Sequence, residues 1–151
     1  LLVTFVLDQA TKWVVLEVIG LRAVGDAVTV LPILDFVLVL NHGINFGLFA
    51  SGSESQAVVL AIVKIVAAAG AVIWAARTWD VLLAAGCGLL AGGALGNALD
   101  RLTVGAVVDF INFDCCGIGN PYAFNIADAA IFLGALAIIW RAGRDAPADA
   151  R

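Results

Sequence analysis

Polar residues divide this chain into four apolar stretches. A helix crossing the hydrocarbon core of a bilayer needs about 20 predominantly apolar residues. Leu1 to about Ile19, Gln56 to Ala76, Val81 to about Arg101 and Asn125 to about Arg141 meet that requirement. The pattern predicts a mainly α-helical integral membrane protein with four transmembrane helices. Only Arg77-Thr78-Trp79-Asp80 separates the second and third stretches, so these form an antiparallel hairpin. Two longer connections, residues 20–55 and 102–124, then share the opposite end. Within the first, Val28 to Leu40 is rich in β-branched residues and contains Pro32, which a helix interior or central strand resists. It is expected to form short extended segments, a hairpin with an edge strand, capping the helices at the membrane surface. A fifth span is the competing reading, and Pro32 and Asp35 count against it.

Basic residues orient the bundle. Arg77, Arg141, Arg144 and Arg151 fall at one end, Arg22 and Arg101 at the other. Lys and Arg accumulate on the cytoplasmic side, so the first end, with the C-terminus, is expected in the cytoplasm and both long connections at the outer face. Trp13, Trp74, Trp79 and Trp140 suit interfacial belts, although Trp13 could equally pack between helices.

Composition agrees with lipid as solvent. Of 151 residues, 63% are hydrophobic and 13% charged, and the mean hydropathy is +1.06; an average soluble domain is about 45–50% apolar and about 25% charged. The length fits a single membrane-embedded domain over residues 1–151. A net charge of −4 offers no basic footprint for nucleic acid. The absence of Met and the opening Leu1-Leu2 suggest a truncated first helix. A secretory signal is not expected, because there is no charged n-region and Asp8 and Lys12 interrupt the apolar run. Cys87, within an apolar run, reads as a small hydrophobe. Cys115-Cys116 lack metal or redox spacing.

The ionisable residues inside these stretches need explaining, since each costs about 2.5–3.5 kcal/mol at mid-membrane on insertion scales. Asp8 and Lys12 lie one helical turn apart, which allows a self-neutralising ion pair, a role in holding a site, or both. Lys64 stands alone in the second helix, where it either snorkels or meets a carboxylate. The third helix carries a ridge of small residues, Ala84, Gly88, Gly92 and Gly96, thickened by Gly93. Such spacing lets helix backbones approach closely in lipid, and it delivers Asn97, Asp100 and Arg101 together to the outer end. An interfacial Arg101 anchored by Asp100 is the plainer account of that cluster.

Two further acids sharpen the picture. Asp109 is flanked by Val107, Val108, Phe110 and Ile111; Asp128 follows Asn125, which is placed to cap the fourth helix with Asp128 at its third position. Taken singly, these are a turn acid and a capping acid. Held close at a partly dry site, two carboxyls cannot both ionise easily, and the asymmetry supplies a base for water and an acid for the leaving group. The helix N-terminus makes Asp128 the more readily ionised member. A lone His42 gives no zinc site, no GxSxG occurs, and Ser51, Ser53 and Ser55 have no plausible base.

These residues occur in five ordered blocks: Asp8-Gln9-x-Thr11-Lys12; Asn41-x-Gly43 with Asn45-Phe46-Gly47; Gly92-Gly93-x-x-Gly96-Asn97-x-x-Asp100-Arg101; Val108-Asp109-Phe110; and Phe124-Asn125-x-Ala127-Asp128. In this order and spacing the chain resembles the bacterial lipoprotein signal peptidases across nearly its whole length. The resemblance implies four transmembrane helices with a small β-rich cradle at the outer, periplasmic face of the bacterial inner membrane. It implies an aspartic endopeptidase that cleaves prolipoproteins before a diacylglyceryl-modified cysteine. Asp109 and Asp128 would be the catalytic pair, with neither metal nor cofactor. Asp8, Lys12, Asn41, Gly43, Asn97, Asp100, Arg101, Asn125 and Ala127 would shape or support the site. The expected partners are the prolipoprotein and membrane lipid, and the expected state is a monomer. Asn45, where a small residue is frequent, is a departure. The competing function is a small proton-coupled transporter, which would want polar residues on a path to both faces; here they gather at one.

Overall fold

Each predicted helix has one end marked by a local signal in the sequence. The computed structural model describes residues 1–43, 53–114 and 120–144. The first helix, α1, runs Leu2–Trp13 and continues as a wider π-helical segment over Val14–Ile19. It stops at Gly20, whose φ of 85° few other residues adopt cheaply. The second, α2, spans Glu54–Ala75 and is capped by Ser53, whose side chain accepts from the Gln56 N–H. The third, α3, spans Val81–Thr103 and is capped in the same way by Asp80. The fourth, α4, covers Ile126–Arg144.

α2, α3 and α4 are each long and apolar enough to cross a membrane, and α1 packs beside them against α3 and α4. The protein is a mainly helical membrane protein with a small sheet at one end. Outward-facing Val59, Ile62, Val63 and Val66 on α2, and Phe132, Leu133 and Ile139 on α4, are all exposed. Trp13, Trp74, Trp79 and Trp140 are exposed too, so Trp13 does not pack between helices.

The small-residue ridge explains why α3 lies at the centre. A Cβ on Gly92 would meet the Thr4 side chain, and one on Gly96 the Asp8 carboxylate, so this row admits α1. A Cβ on Gly93 would strike the Ala127 carbonyl of α4, while Gly86 and Gly134 face each other further along the same contact. A third face carries Cys87, Ala91 and Ala94 against Ala68 and Ala71 of α2. The winding ridge thus serves two neighbours and small apolar side chains serve the other.

The run from Val28 to Leu40 is extended and forms no fifth span. Strands β1 (Ala27–Leu31) and β2 (Leu34–Asn41) form a hairpin turning at Pro32-Ile33. β2 also pairs with β3 (Val107–Asn112), giving an antiparallel sheet in the order β1-β2-β3. The exposed β1 is the edge strand. A core of Val15, Leu21, Leu38, Val108 and Phe110 seats the sheet on the bundle, and the Phe36 and Phe110 rings meet edge to face at 5.5 Å. The register sets Asp109 opposite Val39, next to Asn41 opposite Val107. Asn45, Phe46, Gly47, Ser51, Cys115, Cys116 and Arg151 lie outside the described residues.

Candidate active site

Five elements, α1, β2, α3, β3 and α4, bring the predicted residues together at the end of the bundle that carries the sheet. Two buried asparagines link the two acids. Asn125 Nδ2 donates to Asp109 Oδ1 at 2.6 Å and to Asn97 Oδ1 at 3.1 Å; Asn97 Nδ2 donates to Asp128 Oδ1 at 2.8 Å. Asn41, at the end of β2, donates to Asp109 Oδ2 at 3.2 Å. Asn125 also caps α4: its Oδ1 accepts the Asp128 N–H at 2.8 Å. In a full capping box Asp128 would reach back to the Asn125 N–H; here its carboxylate takes the Asn97 amide instead, and among the described residues its Oδ2 accepts no hydrogen bond.

Beneath the acids lies a charged layer. Lys12 Nζ is 2.7 Å from Asp8 Oδ2 and 2.6 Å from Asp100 Oδ2, with every partner buried. The expected one-turn ion pair is therefore real, but it is also a strut between helices. Asp8 Oδ1 accepts the Ala127 N–H at 2.9 Å, tying α1 to the first turn of α4. Asp100 Oδ2 accepts the Val108 N–H at 3.1 Å, tying α3 to β3 beside Asp109. Lys12 further reaches Asn97 Oδ1 at 3.3 Å. Arg101 donates to the Gly43 carbonyl at 2.7 Å, anchoring the end of β2, and to the Asn97 carbonyl at 3.3 Å. It is buried, so the reading of Arg101 as an interfacial anchor paired with Asp100 gives way to one of a clamp on backbone carbonyls.

Every candidate residue belongs to this network: Asp8, Lys12, Asn41, Gly43, Asn97, Asp100, Arg101, Asp109, Asn125, Ala127 and Asp128. One other does as well, and a second residue braces the segment beside it. Gln9 donates to Asp8, to the Gly96 carbonyl and to Asp100; its place between Asp8 and Lys12 in the first block was the available signal. Asn112 donates to the Asn120 and Tyr122 carbonyls and holds the segment before α4. Nothing but a polar residue in an apolar strand pointed to it.

A cavity of about 650 Å3 opens over the acids, lined by Asn41, Asp109, Asp128, Tyr122, Phe124 and Phe132 among others. Asp109, on β3 outside the spanning helices, is 1% exposed. Burial and, after it, the charge of Asp128 push its carboxyl up to about 7, against smaller pulls from Asn41 and Lys12. The site therefore offers one carboxyl that burial favours in its protonated form, a second carboxyl with one uncommitted oxygen, and an apolar trough beside both.

The chain matches the family model for signal peptidase II over residues 1–143. It is 43% identical over 142 residues to a lipoprotein signal peptidase of Rhodopseudomonas palustris, covering 92% of this chain and 86% of the relative. To that of Nitrobacter hamburgensis it is 42% identical over 136 residues, 88% and 82% of the two chains. A bacterial membrane enzyme solved by the in meso method at 2.3 Å superposes with a TM-score of 0.77 at 28% identity, covering 99% of this chain and 88% of that one. None of these relatives supports a transporter.

Proposed function

The chain belongs to the signal peptidase II family, the aspartic lipoprotein signal peptidases of bacterial membranes, and within that activity we propose that Asp109 and Asp128 are its catalytic pair. The observation that carries this reading is the relay Asp109–Asn125–Asn97–Asp128 at the floor of an apolar cavity. It positions the two carboxyls through shared amides, while burial favours the protonated form of Asp109.

The roles follow from the hydrogen bonds. Asn125 holds Asp109 Oδ1 tightly and Asn41 holds Oδ2 loosely, so the proton resides on Oδ2. Asp109 donates it to the carbonyl oxygen of the scissile bond. Asp128 Oδ2, free among the described residues, takes a proton from the attacking water. The C–N bond then breaks, with the Asp128 proton passing to the leaving amine and a hydroxyl proton of the gem-diol intermediate returning to Asp109 as the new carboxyl forms. The signal peptide lies along the apolar trough, and the diacylglyceryl group of the substrate cysteine extends between the helices into lipid. Arg77, Arg141 and Arg144 place the opposite end in the cytoplasm. The site then faces outward, the C-terminus lies inside, and water reaches the acids from the periplasmic side. The enzyme acts as a monomer, with residues 1–151 as one peptidase domain and no metal or cofactor.

Purified wild type, Asp109→Asn and Asp128→Asn, assayed on a diacylated prolipoprotein and on its unlipidated precursor, test the reading. Wild type cuts only the lipidated substrate, chelators leave the rate unchanged, and both variants fold but yield no mature product. Processing by either variant, or equal cleavage of unlipidated precursor, overturns the corresponding part.

A further inference from the structure

Lys64, in the middle of α2, is missing from the network described above. Its place on the helix is not accidental. Ala57, Ala61, Lys64, Ala68 and Ala71 recur at spacings of four and three, which sets them on one face, and the four alanines are buried. Lys64 is half-buried in that row, away from the exposed Val59, Ile62, Val63 and Val66. Helical side chains lean toward their own N-terminus. For α2, antiparallel to α3, that is the end at which α3 presents Asn97, Asp100 and Arg101. The lysine stem thus leans toward the end of the bundle that holds the acids.

Among the described residues the ammonium makes no hydrogen bond and no ion pair. The charges it meets are those of Asp128 and then Asp109, which attract it, and Arg101, which repels it. A cation withdrawn from water and left without a contact partner is costly, and this one stabilises nothing in the packing that an apolar residue would not. We infer that Lys64 is a positioning residue for the reaction: with no direct bond to Asp128, it acts on that carboxylate through its charge while leaving Oδ2 open to water. A direct ion pair would occupy the oxygen that must take the proton. A charge at one remove, in a dry interior, acts through its field alone. The inference rests on Asp128 being the base of the pair. Among the described residues, Lys12 from α1, itself paired with Asp8, and Asp100 and Arg101 from α3 also act on the pair, and His42 just past β2 lines the cavity beside it; α2 contributes Lys64.

The test compares Lys64→Met and Lys64→Arg with wild type in lipidated substrate cleavage across the acidic pH range. In Lys64→Met the acidic limb of kcat moves to higher pH while KM is unchanged, and Lys64→Arg restores the wild-type limb. The unfolding temperature of Lys64→Met stays equal or rises, since an unpaired charge has left the interior. A wild-type acidic limb in Lys64→Met overturns the inference. So does a fall in kcat that tracks lost thermal stability without a shift of the limb, which marks a structural role. Asp128→Asn runs in parallel: if it is inactive and Lys64→Met behaves as wild type, only the lysine's role fails. If Asp128→Asn remains active, the base assignment fails and takes this inference with it.

Discussion

Replacing Gly93 with alanine adds a single methyl group, and the structure fixes where it goes. The new Cβ would strike the Ala127 carbonyl oxygen and lie 3.0 Å from Ile131 Cγ1 and 3.2 Å from the Ala127 carbonyl carbon. Backbone is in the way, so α4 must move. Overpacking of this kind costs about 1–3 kcal/mol, reduced by roughly 1 kcal/mol because alanine suits a helix better than glycine. The displaced turn also bears Asp128 and the Ala127 N–H that Asp8 holds. A shift of about 1 Å at a catalytic group can lower turnover by about 100-fold. Gly70 is the control: it lies in α2, and a Cβ there meets nothing within 4 Å. Gly70→Ala gains only the helix-forming term and should be neutral or slightly stabilising. Thermal unfolding in detergent, with cleavage of a lipidated substrate on the same samples, separates the two. If Gly93→Ala matches Gly70→Ala in both stability and turnover, tight packing of α3 on α4 does not set the position of Asp128.

Two other predictions concern the amides and the acid. Asn97→Ala removes the donor to Asp128 Oδ1 and the acceptor shared by Lys12 and Asn125. It should lower stability by about 1–3 kcal/mol for the buried groups left unpaired and lower kcat more than it raises KM, as unfolding and steady-state kinetics would show. Because burial raises the Asp109 carboxyl to about 7, the folded protein binds a proton that the unfolded chain releases near 3.8. Stability from this group is full below 3.8 and declines as pH rises toward 7. Asp109→Asn should therefore gain in unfolding temperature over wild type as pH rises across that window, while wild-type activity falls as pH passes about 7. A difference independent of pH would remove Asp109 from the account of stability.

The hydrophobic pattern made the helices legible to within about a turn, because each carries its own boundary signal: Gly20 as a stop, and Ser53, Asp80 and Asn125 as starts. Pro32 and the β-branched residues around it gave the hairpin for the same local reason. Contacts set by tertiary packing were harder to foresee. The bond from Lys12 to Asp100 joins residues far apart in sequence, and spacing revealed only the partner one turn away, Asp8. The π-helical widening after Trp13 and the hold of Asn112 on the segment before α4 leave no periodic trace. Asp109 was legible as an acid among apolar residues, but its protonation depends on burial by β2, β3 and the residues before α4 together.

The division of labour between the acids is open to direct observation. Infrared spectra of the protein with isotope-labelled aspartate, recorded through a pH titration, report protonated carboxyl groups individually when compared with single variants. The account predicts one such carboxyl in wild type that titrates near 7, disappears in Asp109→Asn and persists in Asp128→Asn. A band that survives in Asp109→Asn and is lost in Asp128→Asn would contradict it, reversing acid and base.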